Sequence, residues 1–249
     1  MNIEVSEASG VRYLHFGSHW IQGAMRIARP WALELDYTRE MMTALLLRPD
    51  PEWPKSALLI GLGAASLTKF LHRHRPATRL DVVEIDPSVV HVAREHFKLP
   101  EEDTRLRIHL GDGADFVAAS RQCFDLIMVD GFDAKARTGM LDTLPFYLNC
   151  RARLSAAGLL TTNLLSKRRG VRESMTRLTD AFDDRALCFP SCDSGNVVAF
   201  AATGAPVAFS LGELKALARV LKDATGLNLA PTLSRLEQAN QCAGGKLRC

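Results

Sequence analysis

The chain has 249 residues, 47% of them apolar and 24% charged, with a formal net charge of +3. At about 150 residues per domain this allows one large domain or two small ones, and the composition excludes global disorder, a collagen-like chain and a disulfide miniprotein. Near charge balance argues against a strongly basic nucleic-acid binder, no apolar run approaches the ~18–20 residues of a membrane span, and the acidic start, Asn2-Ile3-Glu4-Val5-Ser6-Glu7, lacks the basic and apolar regions of a secretory signal.

Val11–Phe16 alternates loosely, as a half-buried strand does. Gly17-Ser18 marks a turn, and His19–Ile27 reads as a second strand. Tyr37–Leu47, rich in Met, Ala and Leu, reads as a helix. The cluster Arg48-Pro49-Asp50-Pro51-Glu52-Trp53-Pro54 stops it. It divides a small N-terminal hairpin-and-helix segment, 1–50, from a larger domain, 51–249. Beyond it strands alternate with helices. Strands are predicted at Ser56–Ile60, Leu80–Ile85, Arg105–Leu110, Phe124–Val129 and Gly158–Leu165. Helices are predicted at Ala65–His74, Pro87–Phe97, Ala114–Ser120, Leu144–Leu154 and Val171–Asp183. This is an α/β pattern with a parallel sheet covered on both faces. Leu187–Cys192 and Asn196–Thr203 flank a Ser194-Gly195-Asn196 turn and predict a closing antiparallel hairpin. Helices at Leu211–Ala224 and Thr232–Asn240 follow, and the tail Gly244–Cys249 is expected to fray. Six scattered cysteines read as reduced thiols of a cytoplasmic protein. Cys188 and Cys192 lack a second ligand pair, so no metal site is expected.

In an open parallel sheet, ligands bind beyond the carboxyl ends of the strands. After the first strand stands Gly61-Leu62-Gly63-Ala64-Ala65-Ser66. Glycines there permit a tight turn and close approach of a ligand. A full dinucleotide fingerprint wants a glycine where Ser66 stands, so the pair reads either as a ligand loop or as a bare turn. After the second strand, Glu84 lies 23 residues beyond Gly61, where an acid accepts hydrogen bonds from ribose hydroxyls. Asp86, before Pro87, suits a helix cap. After the third, Asp112 of Gly111-Asp112-Gly113 can accept from an adenine amino group or cap the next helix. After the fourth comes Asp130-Gly131-Phe132-Asp133. Asp130 is a candidate general base or amine anchor, and Asp133 a second acid or a turn cap. Together these describe an adenosyl pocket with no phosphate requirement. His72 and His74 read as a solvated helix end, and Lys167-Arg168-Arg169-Gly170 as a solvated loop.

These residues carry a resemblance. The chain resembles the spermidine synthase family, the polyamine aminopropyltransferases, from Val11 to Thr203, about three quarters of its length. The family's Val-Glu-Ile-Asp stands as Val83-Glu84-Ile85-Asp86 and its Gly-Asp-Gly as Gly111-Asp112-Gly113. Its Asp-Ser-Thr/Ser-Asp-Pro stands as Asp130-Gly131-Phe132-Asp133-Ala134, its Phe-Tyr as Phe146-Tyr147, and its hairpin Gln as Gln22. The resemblance implies a Rossmann-like, seven-stranded methyltransferase-type sheet, mostly parallel with a C-terminal antiparallel strand, behind a small N-terminal β-hairpin. It implies transfer of an aminopropyl group from decarboxylated S-adenosylmethionine to a small amine. Gly61, Gly63, Glu84, Ile85, Asp112 and Gly113 would bind the donor, Asp130 would act as base, and Asp133, Gln22, Glu40 and Tyr147 would bind the acceptor. No metal is implied, and a homodimer is. Three departures stand out. Ala64 replaces the acid expected to hold the donor's ammonium, only Glu40 persists from the family's Tyr-His/Gln-Glu, and Lys135 and Arg137 enter a normally neutral gate. They leave two alternatives: an S-adenosylmethionine-dependent methyltransferase, and a non-catalytic adenosyl-nucleoside binder.

Overall fold

Successive residues of the central strands turn to opposite faces, and both faces are apolar. In Ser56–Ile60, Ala57 and Leu59 join one core while Leu58 and Ile60 join another. The computed structural model describes residues 2–17, 20–132, 137–165, 168–192, 195–242 and 245–249. Its N-terminal part holds β1 (Ile3–Ala8), β2 (Val11–Phe16), β3 (Ile21–Arg26), α1 (Asp36–Met41) and α2 (Ala44–Leu47). Then come β4 (Ser56–Ile60), α3 (Ser66–His74), β5 (Arg79–Glu84), α4 (Pro87–Phe97), β6 (Leu106–Leu110), α5 (Gly113–Ala119) and β7 (Phe124–Val129). A 3-10 turn at Gly139–Asp142 leads into α6 (Leu144–Ala152), β8 (Leu154–Leu165), α7 (Arg168–Ala181), β9 (Ala186–Cys188) and β10 (Asn196–Ala202). The chain closes with β11 (Ala208–Phe209), α8 (Leu211–Thr225), α9 (Ala230–Gln238) and β12 (Leu247–Arg248).

The main sheet runs β6-β5-β4-β7-β8-β10-β9. β4 to β8 are mutually parallel, and β10 lies antiparallel to both β8 and β9. This is the expected α/β class with its antiparallel close. One core lies between the sheet and α2, α3, α4, α8 and α9, and takes in Leu14, Phe16 and Met25 of the N-terminal sheet. The other lies beneath α5, α6 and α7. Among the described residues no helix is long and apolar enough to cross a membrane.

Three expectations are corrected. The expected N-terminal hairpin is present as β2 and β3, and β1, which was not expected, extends it to three strands by pairing with β2. Its Glu4, Ser6 and Glu7 read as an acidic start and masked a strand with mostly exposed side chains. The helix expected over 37–47 is broken in two. Backbone bonds tighten to three-residue spacing, Met42 N–H to Arg39 O and Thr43 N–H to Glu40 O. The tail is tied down rather than frayed. β12 pairs with β11, Cys249 exchanges backbone bonds with Val207, and Leu247 is buried. Lys167 and Ser194 lie outside the described residues.

Candidate active site

β4 has β5 on one side and β7 on the other. The order of connection therefore reverses beside it, and a crevice opens at the carboxyl ends of these strands. The backbone ladder continues just past each strand. Gly61 N–H donates to Val83 O at 2.9 Å, Asp130 N–H to Ile60 O at 2.8 Å, and Gly111 N–H to Glu84 O at 3.0 Å. The strand tips bearing Gly61, Glu84, Gly111 and Asp130 are thus held side by side. Gly61 has φ +94°, and a Cβ there would lie 2.3 Å from the Asp130 carbonyl oxygen. Only glycine fits. A cavity of about 870 Å³ occupies the crevice.

One end of the cavity is framed by local contacts. Glu84 is buried. Its Oε2 accepts from Leu62 N–H at 2.9 Å and its Oε1 from Asp86 N–H at 3.0 Å. Burial raises its carboxyl, and these N–H donors oppose the shift. Asp112 Oδ1 caps α5 through Ala114 and Asp115 N–H at 2.7 and 3.1 Å. Asp86 caps α4 through Ser88 N–H at 2.8 Å. Gly63, Ile85 and Gly113 line the same end, with Ile85 68% exposed and offering an apolar wall.

The other end is framed by distant side chains. Asp130 Oδ2 accepts from the Tyr37 hydroxyl at 3.1 Å, and Oδ1 from Asn163 Nδ2 at 2.8 Å. The Asn163 carbonyl in turn accepts from Asn196 Nδ2 at 2.9 Å. Burial raises the Asp130 carboxyl, while Asn163 and Tyr37 pull it down. Burial and the adjoining Asp130 carboxylate drive the Tyr37 phenol well up, so it is a donor here. Gln22, from β3, also lines the cavity, with its backbone oxygen close to Gly63.

Tyr37, Asn163 and Asn196 were not singled out in the sequence. Asn163 gave a signal, an amide inside the run Leu159-Leu160-Thr161-Thr162-Asn163-Leu164, because a buried amide demands partners. Tyr37 stands one residue ahead of the segment matched to the family's Tyr-His/Gln-Glu.

Two candidates stand off the cavity lining. Glu40 is fully buried and ion-paired to Arg235 on α9. The Tyr147 side chain is also fully buried, and its hydroxyl donates to Asp142 Oδ1 at 2.8 Å. Asp142 ends the turn whose Gly139, Met140 and Leu141 line the cavity. Ala64 is buried against β3, where a Cβ placed on Gly23 would come within 2.6 Å of its own Cβ. On that side the β3 backbone at Gly23 leaves no room for a longer side chain. Arg137 lines the cavity, whereas Asp133 and Lys135 lie outside the described residues.

The family model for the spermine/spermidine synthase domain matches residues 35–183. The chain belongs to the spermine/spermidine synthase family. Its relatives include the polyamine aminopropyltransferase of Chromobacterium violaceum, 36% identical over 98% of this chain and 93% of that protein. A crystal structure of a probable spermidine synthase from Corynebacterium glutamicum shares the fold, with a TM-score of 0.74, 21% identity and 91% of each chain covered. Human methyltransferase-like protein 13, solved in complex with SAH, matches with a TM-score of 0.68 at 25% identity, over 78% of this chain and 93% of that one. The spermidine synthase sheet and the methyltransferase sheet are thus one architecture here.

Proposed function

We propose that the chain transfers the aminopropyl group of decarboxylated S-adenosylmethionine to a small amine, with Asp130 as the base. The observation that carries this is the convergence of Glu84, Asp112 and Asp130, from three strand tips, on one cavity. That the chain is an enzyme transferring aminopropyl groups follows from a relative 36% identical along almost the whole length.

In this reading Glu84 receives the ribose hydroxyls, and the free Oδ2 of Asp112 receives the adenine amino group. Ile85, Gly61, Gly63 and Gly113 shape the pocket around the nucleoside. The acceptor nitrogen must be neutral to attack. It displaces sulfur from the aminopropyl carbon, the C–S bond breaks, methylthioadenosine leaves, and the surplus proton passes to Asp130. Tyr37 and Asn163 donate to both Asp130 oxygens and leave a lone pair on each for that proton. Burial makes Asp130 a stronger base than a solvated carboxylate. Most of the acceleration is positioning, worth about 7–11 kcal/mol for well-aligned reactants. Gln22 is assigned to the acceptor and so is Asp133. Glu40 and Tyr147 act at one remove, through α1 and through Asp142.

A second reading has a specific observation in its favour. Ala64 is sealed behind β3 and Arg137 lines the cavity. Loss of the acid, together with a cation elsewhere on the cavity lining, suits a donor that keeps its carboxylate, which is intact S-adenosylmethionine in methyl transfer. We favour the decarboxylated donor on the family relationship. Segments 1–50 and 51–249 are proposed as the two units of the chain. The open edge of β1 suits a homodimer, and six free cysteines suit the cytoplasm.

The test is to incubate the purified protein with decarboxylated S-adenosylmethionine and a panel of amines and to follow methylthioadenosine. Release that depends on an added amine is expected, with tighter calorimetric binding of the decarboxylated donor than of S-adenosylmethionine. No release with any amine, or the reverse donor preference, overturns the reading.

A further inference from the structure

Glu40 and Arg235 form a buried ion pair that joins α1 to α9, a helix beyond the residues matched by the family model. Three groups around it have no hydrogen-bond partner: Glu40 Oε1, Arg235 Nε and Thr43 Oγ1. A buried pair with unsatisfied atoms is a poor device for stability, since desolvation offsets its attraction. It is a good device for fixing an orientation. What it orients is α1. That helix has six residues, and its N-cap, Leu35, makes no side-chain cap bond. A helix of this length does not hold itself in water. Arg39 ties its start to the carbonyls of Leu33 and Glu34 at 2.8 and 2.6 Å. Glu40 ties its end to α9. Between them stands Tyr37, one turn from Glu40, with its hydroxyl on Asp130.

We propose that Arg235 is a positioning residue for the reaction: by holding Glu40 it fixes α1, and through α1 it keeps the Tyr37 hydroxyl on the Asp130 carboxylate. The inference rests on Asp130 being the base. It gives the C-terminal helices a part in the site. Burial raises the Glu40 carboxyl and Arg235 opposes that rise, so removing Arg235 leaves an acid that takes up a proton and loses its ionic hold on α9.

The test compares Arg235→Met, Arg235→Lys and Glu40→Gln/Arg235→Met, each with and without Tyr37→Phe. Arg235→Met is expected to lower kcat about 10-fold, in the range of couplings between connected residues. The donor KM and methylthioadenosine affinity stay unchanged, and Arg235→Lys restores most of the rate. In the Tyr37→Phe background Arg235→Met has no further effect, because the hydroxyl it positions is gone. An equal loss in both backgrounds, or an unchanged kcat, overturns the proposal. If Arg235→Met does not fold, the double variant, which removes both charges together, carries the same comparison. A second readout needs no turnover. With ¹³C-labelled tyrosine, the Tyr37 ring resonance, assigned by its absence in Tyr37→Phe, shifts in Arg235→Met, and an unmoved resonance overturns the proposal. Wild-type protein without turnover would overturn the aminopropyl reading, and the resonance would still decide the positioning.

Discussion

The two ends of the cavity are built differently. At the end assigned to the nucleoside, the carboxylates of Glu84, Asp86 and Asp112 bond to backbone N–H groups, most of them two or three residues away. At the transfer end, Asp130 is held by Tyr37, 93 residues away, and Asn163, 33 residues away. The first end is a set of turns that happen to face one cavity. The second exists only when the whole chain is folded around it. The two should therefore fail separately, with affinity governed by the turns and rate by the long-range bonds.

The largest expected effect is at Asp130. Asp130→Asn keeps the size of the side chain but cannot take a proton, and general-base loss costs ~10²–10⁴-fold. We expect kcat to fall within that range while methylthioadenosine affinity, read by calorimetry, stays unchanged. An equal drop in affinity would show that the two ends are not separable. Next is Glu84→Gln. It removes the charge that would receive the ribose hydroxyls and weakens the bonds to Leu62 and Asp86. A hydrogen bond to a charged group is worth about 1.5–3 kcal/mol. Donor and methylthioadenosine should bind about 10- to 100-fold more weakly, with kcat at saturating donor less affected. A kcat loss matching that of Asp130→Asn would break the division.

The same contrast explains what was legible in the sequence. β4, α4 and β7 match their expected bounds, Ser56–Ile60, Pro87–Phe97 and Phe124–Val129, because apolar runs and turn residues specify them locally. Gly61, Glu84, Asp112 and Asp130 were found because the tip of a parallel strand is a position that can be counted along the chain. Tyr37, Asn163 and Asn196 were not, since nothing local says that residue 37 will meet residue 130. Glu40 and Tyr147 were placed by likeness to a family motif. They are fully buried behind the cavity wall, and burial of that kind is a property of tertiary packing. β1 was missed for the opposite reason. Only Ile3 and Val5 pack against the core and its other side chains are exposed, so the alternation is too short to stand out.

The smallest effect concerns stability, and it sets the two ends against each other. Besides Glu84 and Asp130, whose carboxyls burial also raises, one further buried titratable group belongs to the packing on each side. On α3, the helix that follows the Gly61–Gly63 turn, Lys69 is 1% exposed and donates to Phe97 O at the end of α4, at 2.6 Å. Burial lowers its ammonium from 10.5 to about 7. Under the transfer end, burial raises Glu40 from 4.5 to about 7 against the pull of Arg235, with Asp36 adding to the rise. As pH falls from 10.5 toward 7, the unfolded lysine takes up a proton that the folded one refuses, and stability drops. As pH rises from 4.5 toward 7, the unfolded glutamate releases a proton that the folded one keeps, and stability drops again. Each slope is at most about 1.4 kcal/mol per pH unit. In thermal unfolding against pH, Lys69→Met should flatten only the alkaline limb and Glu40→Gln only the acid limb. The comparison is of slopes, because both variants also shift the curve as a whole, Glu40→Gln by leaving Arg235 without its partner. If either substitution flattened both limbs, the two groups would be coupled through the shared core, and the two ends would stand or fall as one unit.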